Sequence, residues 1–407
     1  MIALLVGCGD GTPHAPDVPI PEPAPTVAPA GCVVAGPCSA DLASATWSDG
    51  PEAGWLGYEI TAGRFGATPV VLVGAPASIA GYDQSESAVA ALSPTSLAPI
   101  GILRDPDPFG STTTSGFGVS IALDPSTDRV AVGADAGWNT ADQQGVVYLL
   151  DHLPDGLEDN DPVLSLRGDL SWQALFGFAV RYADVSGSGV ELLVGMGNAN
   201  PDYAPNYVFR FDTDLTGDHG VEAASARIEG PAQFGAMVAG WDADGDGIDE
   251  LVANYAEGVA HFAGPWVGDG AFDDADVQWT EGAAGDGLGV TLESVGDVDG
   301  DGRTDLVIGS GTVTGPEVRS GAAYVVPAGP LTSGPASELA YTFAGTELGE
   351  GVGSAATSGD YDGDGATDLV VGAYGVVPGE QPGKVLGYAG PLSPGVRTAA
   401  DATFVVH

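Results

Sequence analysis

The sequence predicts an all-β protein, a β-propeller of about six four-stranded blades, with seven left open. Three observations carry that expectation. An apolar residue followed by glycine recurs at Leu56-Gly57, Phe117-Gly118, Phe176-Gly177, Phe234-Gly235, Leu288-Gly289 and Val352-Gly353, about 60 residues apart. Each copy is followed by apolar runs that stop at glycine, such as Val70-Val-Leu-Val-Gly-Ala-Pro76, Val130-Ala-Val-Gly-Ala134 and Leu369-Val-Val-Gly-Ala373. A second strand-like run comes after, as in Gly145-Val-Val-Tyr-Leu-Leu150, Tyr207-Val-Phe-Arg-Phe211, Gly321-Ala-Ala-Tyr-Val-Val326 and Gly383-Lys-Val-Leu-Gly-Tyr388. Several short strands per period of that length mark a radial array, whereas a helical solenoid would show a 3.6-residue periodicity that is missing here. The 64 Gly and 30 Pro suit many tight turns between short strands.

From the N-terminus, the chain divides into residues 1–8, 9–42 and 43–407. The first segment is apolar and ends in Leu5-Val-Gly-Cys8, which resembles a lipobox, so Cys8 is expected to carry lipid after export. It lacks a preceding Lys or Arg and is short for a full export signal, which an upstream start codon would explain. The second segment holds Pro13, Pro16, Pro19, Pro21, Pro23, Pro25 and Pro29 and reads as an extended, semi-rigid tether. It ends in Cys32 and Cys38, expected to form a disulfide in an exported protein. The membrane is then met only through the lipid anchor, at the cell surface, the outer membrane or in the periplasm.

Within 43–407, units 1 and 2 carry no acidic loop; Thr61-Ala-Gly-Arg-Phe-Gly66 and Asp124-Pro-Ser-Thr-Asp128 stand where one would fall. Unit 3 has Asp184-Val-Ser-Gly-Ser-Gly-Val-Glu191, with Ser186 and Ser188 where later copies have Asp. That pattern reads as a decayed loop, not as the metal signature of a von Willebrand A domain, which belongs on a doubly wound α/β fold. Metal binding there is left open.

Units 4 to 6 each carry a complete loop: Asp242-Ala-Asp-Gly-Asp-Gly-Ile-Asp-Glu250, Asp297-Val-Asp-Gly-Asp-Gly-Arg-Thr-Asp305 and Asp360-Tyr-Asp-Gly-Asp-Gly-Ala-Thr-Asp368. Carboxylates recur at positions 1, 3, 5 and 9. Two unit charges about 5 Å apart repel by roughly 3 kcal/mol at an effective dielectric near 20. Four in one loop call for a hard cation, and oxygen-only ligands point to Ca2+. The expected ligands are Asp242, Asp244, Asp246 and Glu250; Asp297, Asp299, Asp301 and Asp305; and Asp360, Asp362, Asp364 and Asp368. The carbonyls of Ile248, Arg303 and Ala366 are expected to complete each cage. An EF-hand begins alike but needs a Glu at position 12 and flanking helices. Position 12 here is Ala253, Ile308 or Val371, in runs that read as strand.

Taken together, Phe-Gly, an Asp-x-Asp-Gly-Asp-Gly-x-x-Asp loop and Gly-Ala-Pro resemble the FG-GAP repeat of integrin α-subunit β-propellers and related bacterial proteins. The resemblance spans roughly residues 45–407. It implies a propeller stiffened by Ca2+ and a role in binding or adhesion. The tail Thr403-Phe-Val-Val406 reads as the strand that would begin a seventh blade, and Thr46-Trp47 holds the same place before unit 1.

A net charge of −45 argues against nucleic acid and against direct docking on anionic lipid. Catalytic signatures are missing: no Gly-x-Ser-x-Gly, no His-Glu-x-x-His, no phosphate-binding Gly-rich loop. The five histidines, His14, His152, His219, His261 and His407, have no ligand spacing. The expected function is therefore a calcium-binding, surface-anchored binding or adhesion module with a protein or polysaccharide ligand, not an enzyme. An exported hydrolase or lyase on a propeller scaffold, and a structural component of an envelope complex, are the alternatives. Trp138, Trp172, Trp241, Trp266 and Trp279 fall near predicted loops, where most are expected to pack between blades.

Overall fold

The computed structural model describes residues 33–34, 36–37 and 59–406, apart from 66–67, 77–86, 107–115, 128, 136–144, 154–161, 169–174, 198–204, 282–286, 312–318 and 376–382. Cys8, Cys32, Cys38, the tether, Thr46-Trp47 and Leu56-Gly57 lie outside the described residues. Val33–Val34 and Gly36–Pro37, between the two cysteines, pair antiparallel.

Valine-, leucine- and alanine-rich runs separated by Gly-bearing turns fold into six antiparallel meanders, each drawn from one repeat. Blade 1 comprises Ile60–Phe65, Thr68–Ala75, Ala88–Leu92 and Pro99–Arg104. Blade 2 comprises Phe117–Leu123, Val130–Ala134, Val146–Leu150 and Leu164–Arg167. Blade 3 comprises Ala179–Ala183, Glu191–Met196, Asn206–Asp212 and Ala226–Gly230. Blade 4 comprises Val238–Trp241, Glu250–Tyr255, Gly258–Phe262 and Val277–Thr280. Blade 5 comprises Thr291–Val295, Asp305–Ser310, Ala322–Val326 and Tyr341–Ala344. Blade 6 comprises Val352–Gly359, Asp368–Ala373, Lys384–Tyr388 and Phe404–Val406. The first strands of successive blades pack on one another and so line the axis.

Blades 2 to 5 gain a fifth, short strand that the sequence did not announce. The link between the third and fourth strands of each following blade lays Gly217–Gly220, Gly270–Ala271, Gly334–Pro335 or Gly395–Arg397 parallel to the outer strand of the blade before. A single 3-10 turn follows every one of these latches.

The repeated glycines explain how blades approach each other. Gly177 adopts φ +84°. Its carbonyl presses on Gly133 of the preceding blade, where an added Cβ would lie 2.0 Å from that oxygen. Only glycine permits both the left-handed backbone and the close approach. Gly118 against Gly74, Gly235 against Gly195, and Gly353 against Gly309 repeat the contact. Each preceding aromatic plugs the junction: Phe117, Phe176 and Phe234 are fully buried.

Five apolar clusters fill five junctions. Leu72 and Leu103 of blade 1 meet Phe117 and Tyr148 of blade 2. Leu149 and Leu166 meet Phe176 and Phe209 of blade 3. Ile228 meets Phe234 and Phe262 of blade 4. Trp241 and Trp279 meet Leu292 and Tyr324 of blade 5. Phe343 meets Leu369 and Tyr388 of blade 6. Among the described residues no such cluster joins blade 6 to blade 1.

Two expectations are corrected. Phe404–Val406 does not begin a seventh blade: it pairs with Lys384–Tyr388 as the outer strand of blade 6. Thr61 to Phe65 is no loop but part of the inner strand of blade 1, because its alternating side chains pair with Pro69 to Leu72 and Thr68.

Candidate metal centre

Each acidic loop lies between the first and second strands of its blade and is followed by strand, not helix, which removes the EF-hand reading. The loops wind identically. In every loop the position 1 carboxylate accepts the backbone N–H groups of positions 4 and 6, and Asp297 accepts that of Asp301 as well. Asp242 takes Gly245 at 2.8 Å and Gly247 at 3.1 Å. Asp297 takes Gly300 at 2.7 Å and Gly302 at 2.8 Å, and Asp360 takes Gly363 at 2.7 Å and Gly365 at 3.0 Å. Glycine at position 6 allows the turn; Gly247 has φ +88°. The position 3 and 5 carboxylates each accept the N–H two residues on, as Asp244 does from Asp246 and Asp364 from Ala366.

The position 9 acid roots each loop in the blade. Glu250, Asp305 and Asp368 are buried. Each accepts the position 2 N–H, from Ala243 at 2.7 Å, Val298 at 3.0 Å and Tyr361 at 2.8 Å. Burial, with the charges of Asp244, Asp242 and Asp246 added, pushes Glu250 up to about 7. Burial and Asp299 push Asp305 to about 6.

Carboxylate oxygens gather within 4.8 Å of one another in each loop, from Asp242, Asp244 and Asp246; Asp297, Asp299 and Asp305; and Asp360, Asp362 and Asp368. Three of the four expected carboxylates thus converge in every loop. Asp301 instead turns to the Arg303 guanidinium at 2.7 Å, which holds its carboxyl below the usual range. The donor set is all oxygen and strongly anionic, and it fits a hard divalent cation.

Blade 3 keeps the winding but not the charge. Asp184 accepts from Gly187 at 2.8 Å and Gly189 at 3.2 Å, and Glu191 accepts from Val185 at 3.1 Å. The Ser186 and Ser188 hydroxyls donate to Glu191 Oε1. Arg210, on the neighbouring third strand and itself buried, places Nη1 3.7 Å from the same oxygen. Two hydroxyls and a guanidinium surround the buried acid. Blade 2 is simpler still: buried Asp124 is satisfied by Ser126 and Thr127 in a tight turn.

The loops also tie blades together. The position 2 carbonyls of Val185, Ala243 and Val298 accept N–H groups from Trp266, Gly329 and Leu392 of the next blade at 2.7 to 2.8 Å. Asp249 bonds Asp184 through both its N–H and its carboxylate. Trp241 donates its indole N–H to Thr304 in the loop of blade 5 at 2.8 Å. Trp241 and Trp279 are fully buried and Trp266 nearly so, which makes them packing residues; Trp138 and Trp172 lie outside the described residues. His261 is buried on its strand and hydrogen-bonds Asp276.

Two features escaped sequence reading. Arg210 lies on a strand 19 residues after Glu191, and its one signal was a lone arginine inside an apolar run. At the axis, Arg181 of blade 3 reaches Glu59 of blade 1 at 3.5 Å and Glu293 of blade 5 at 3.9 Å.

A family model described as FG-GAP repeat matches residues 291–326 and 352–388, the first three strands of blades 5 and 6. The chain is also 32% identical over 166 residues to integrin alpha-PS2 of Drosophila melanogaster. That match covers 35% of this chain and 11% of the relative, so the chain spans about a tenth of that protein's length. The chain is thus a six-bladed β-propeller that carries FG-GAP repeats and shares homology with an integrin α chain.

Proposed function

We propose that this is a calcium-stiffened, exported β-propeller that acts as a binding or adhesion module for a protein or polysaccharide ligand. The observation that carries the calcium reading is the contrast between loops. Three acids converge in each loop of blades 4 to 6, with the buried Asp305 or Asp368 among them in blades 5 and 6, and no buried arginine or lysine is paired with Glu250, Asp305 or Asp368 among the described residues. Ca2+ supplies the missing positive charge. The carboxylates at positions 1, 3, 5 and 9 and the carbonyls of Ile248, Arg303 and Ala366 would hold it. The binding role draws support from the propeller architecture, the integrin α homology and the want of a nucleophile or His–acid constellation in the sequence.

Calorimetry on chelator-treated protein tests the metal. Uptake of three Ca2+ per chain is expected, and no uptake sinks the reading. Arrays of extracellular proteins and polysaccharides, probed with and without Ca2+, test the binding role; substrate turnover without retention would favour the enzyme instead. Export through a lipidated Cys8 predicts detergent partitioning that Cys8→Ser abolishes. No helix among the described residues is long and apolar enough to cross a membrane.

A further inference from the structure

The three acidic loops share a winding but not a charge. From position 1 to position 9, residues 242–250 of blade 4 hold five acids and no base, and residues 360–368 of blade 6 hold four acids and no base. Residues 297–305 of blade 5 hold four acids and one base, Arg303. The formal charges are therefore −5, −4 and −3 for blades 4, 6 and 5.

Arg303 is engaged with its own loop. The position 5 carboxylate uses one oxygen alike in all three loops: Oδ1 of Asp246, Asp301 and Asp364 accepts the position 7 N–H at 2.8, 3.0 and 2.8 Å. The second oxygen differs. Oδ2 of Asp301 accepts from Arg303 Nη2 at 2.7 Å. Ile248 and Ala366, at position 7 of the other two loops, have no charge to offer. The guanidinium also has a seat. It lies over Gly329, where an added Cβ would come within 3.2 Å of Nη2. Its Cδ runs beside Gly245 of blade 4, 3.6 Å from where a Cβ would stand. Two glycines at the seam of blades 4 and 5 thus leave room for this side chain.

A second side chain meets the same loop. The Tyr341 hydroxyl donates to Asp299 Oδ2 at 3.1 Å. A neutral hydroxyl can keep that bond and orient the carboxylate while another lone pair faces a metal. The guanidinium differs in kind, because its full positive charge repels a divalent cation held by the neighbouring oxygens.

We propose that Arg303 is a tethered counter-ion that makes the loop of blade 5 the last of the three to fill with Ca2+. This role presupposes that the loops bind Ca2+, and it grades them. Recruiting Asp301 as a ligand breaks its bond to Arg303. The two side chains are 39% and 32% accessible, so water screens the pair. Losing such a pair weakens the site by about threefold and does not abolish it. As free Ca2+ rises, blades 4 and 6 stiffen first and blade 5 follows.

Calcium titration of the chelator-treated full chain, followed by nuclear magnetic resonance, tests this. The amides of Gly247, Gly302 and Gly365 bond the position 1 carboxylate of their own loops, so each reports one site. The Gly302 midpoint should lie about threefold above the other two. Arg303→Ala keeps the position 7 carbonyl; it should lower that midpoint by about threefold and leave those of Gly247 and Gly365 in place. A Gly302 midpoint unmoved by Arg303→Ala overturns the counter-ion while the calcium reading stands. Amides that ignore Ca2+ in all three loops sink both.

Discussion

In blade 3 the carboxylate of Glu191 meets two hydroxyls and a guanidinium; in blade 4 that of Glu250 feels the charges of three further carboxylates. The backbone around them is the same. Position 1 gathers two glycine N–H groups in both, and the buried acid takes the position 2 N–H in both. The winding is therefore set by glycines and backbone hydrogen bonds, while charge neutralisation is a separate problem with separate solutions. Blade 3 carries its cation on a side chain. On the reading proposed above, blades 4 to 6 would take theirs from solution, and their rigidity would depend on its supply.

Chelation should break this comparison most strongly. With a dissociation constant near 0.1 mM and about 2 mM Ca2+, each site adds roughly 1.8 kcal/mol, and three independent sites about 5 kcal/mol. Calorimetric melting should fall markedly in EDTA. Hydrogen exchange should speed in residues 242–250, 297–305 and 360–368 while 184–191 stays protected. Uniform loosening, or none, would mean that the acidic loops are ordinary solvated turns.

Arg210→Ala approaches the comparison from the other side. It leaves Glu191 buried without its cation, at a cost of about 3 kcal/mol. That cost should be the same with and without Ca2+, since two serines cannot replace the aspartates at positions 3 and 5. Denaturant titration in both conditions checks it, and a loss that Ca2+ repairs would show that blade 3 also takes the ion.

Asp305→Asn should act on a single loop. Removing the buried anion strips one site, and the Ca2+-dependent gain in stability should shrink by about 1.8 kcal/mol, a third of the total. Calcium stoichiometry should drop from three to two. Retention of three sites would mean that position 9 holds the blade and not the ion.

Sequence showed much of this and hid a defined remainder. Period, strand runs and the Phe-Gly glycines gave the blades, because each glycine answers a local backbone demand that repeats with the unit. The three acidic loops were legible because all their carboxylates fall within nine consecutive residues. Arg210 was not, since its partner is reached across strand pairing and nothing in the local sequence encodes it. The latches were missed because Gly270–Ala271 and Gly334–Pro335 are held by strand pairing, which any two residues in a turn-rich link could supply. The tail misled for a related reason: Phe404–Val406 has the apolar run of a strand, and only its latch and 3-10 turn upstream mark it as a fourth strand rather than a first.

The axis shows a third way of meeting the same problem, with a proton. Glu59 and Glu293 converge there on one guanidinium, Arg181, so one negative charge is left over. Burial, opposed by Arg181 and reinforced by Glu293, pushes Glu59 from the ordinary 4.5 up to about 7. A carboxyl that binds its proton more tightly when folded favours the fold while protonated. Its contribution is complete below about pH 4.5 and is lost as pH rises through 7. Glu59 is a quarter exposed, so screening reduces the effect, and a loss of about 1–2 kcal/mol between pH 5 and 8 is expected. The difference between the native chain and Glu59→Gln, both measured in saturating Ca2+, isolates the axial group. Glu59→Gln should flatten the decline across that window while leaving the Ca2+ response intact. A variant that loses stability with pH as steeply as the native chain would place the titrating group elsewhere, and the contrast between rim and axis would reduce to one between two kinds of loop.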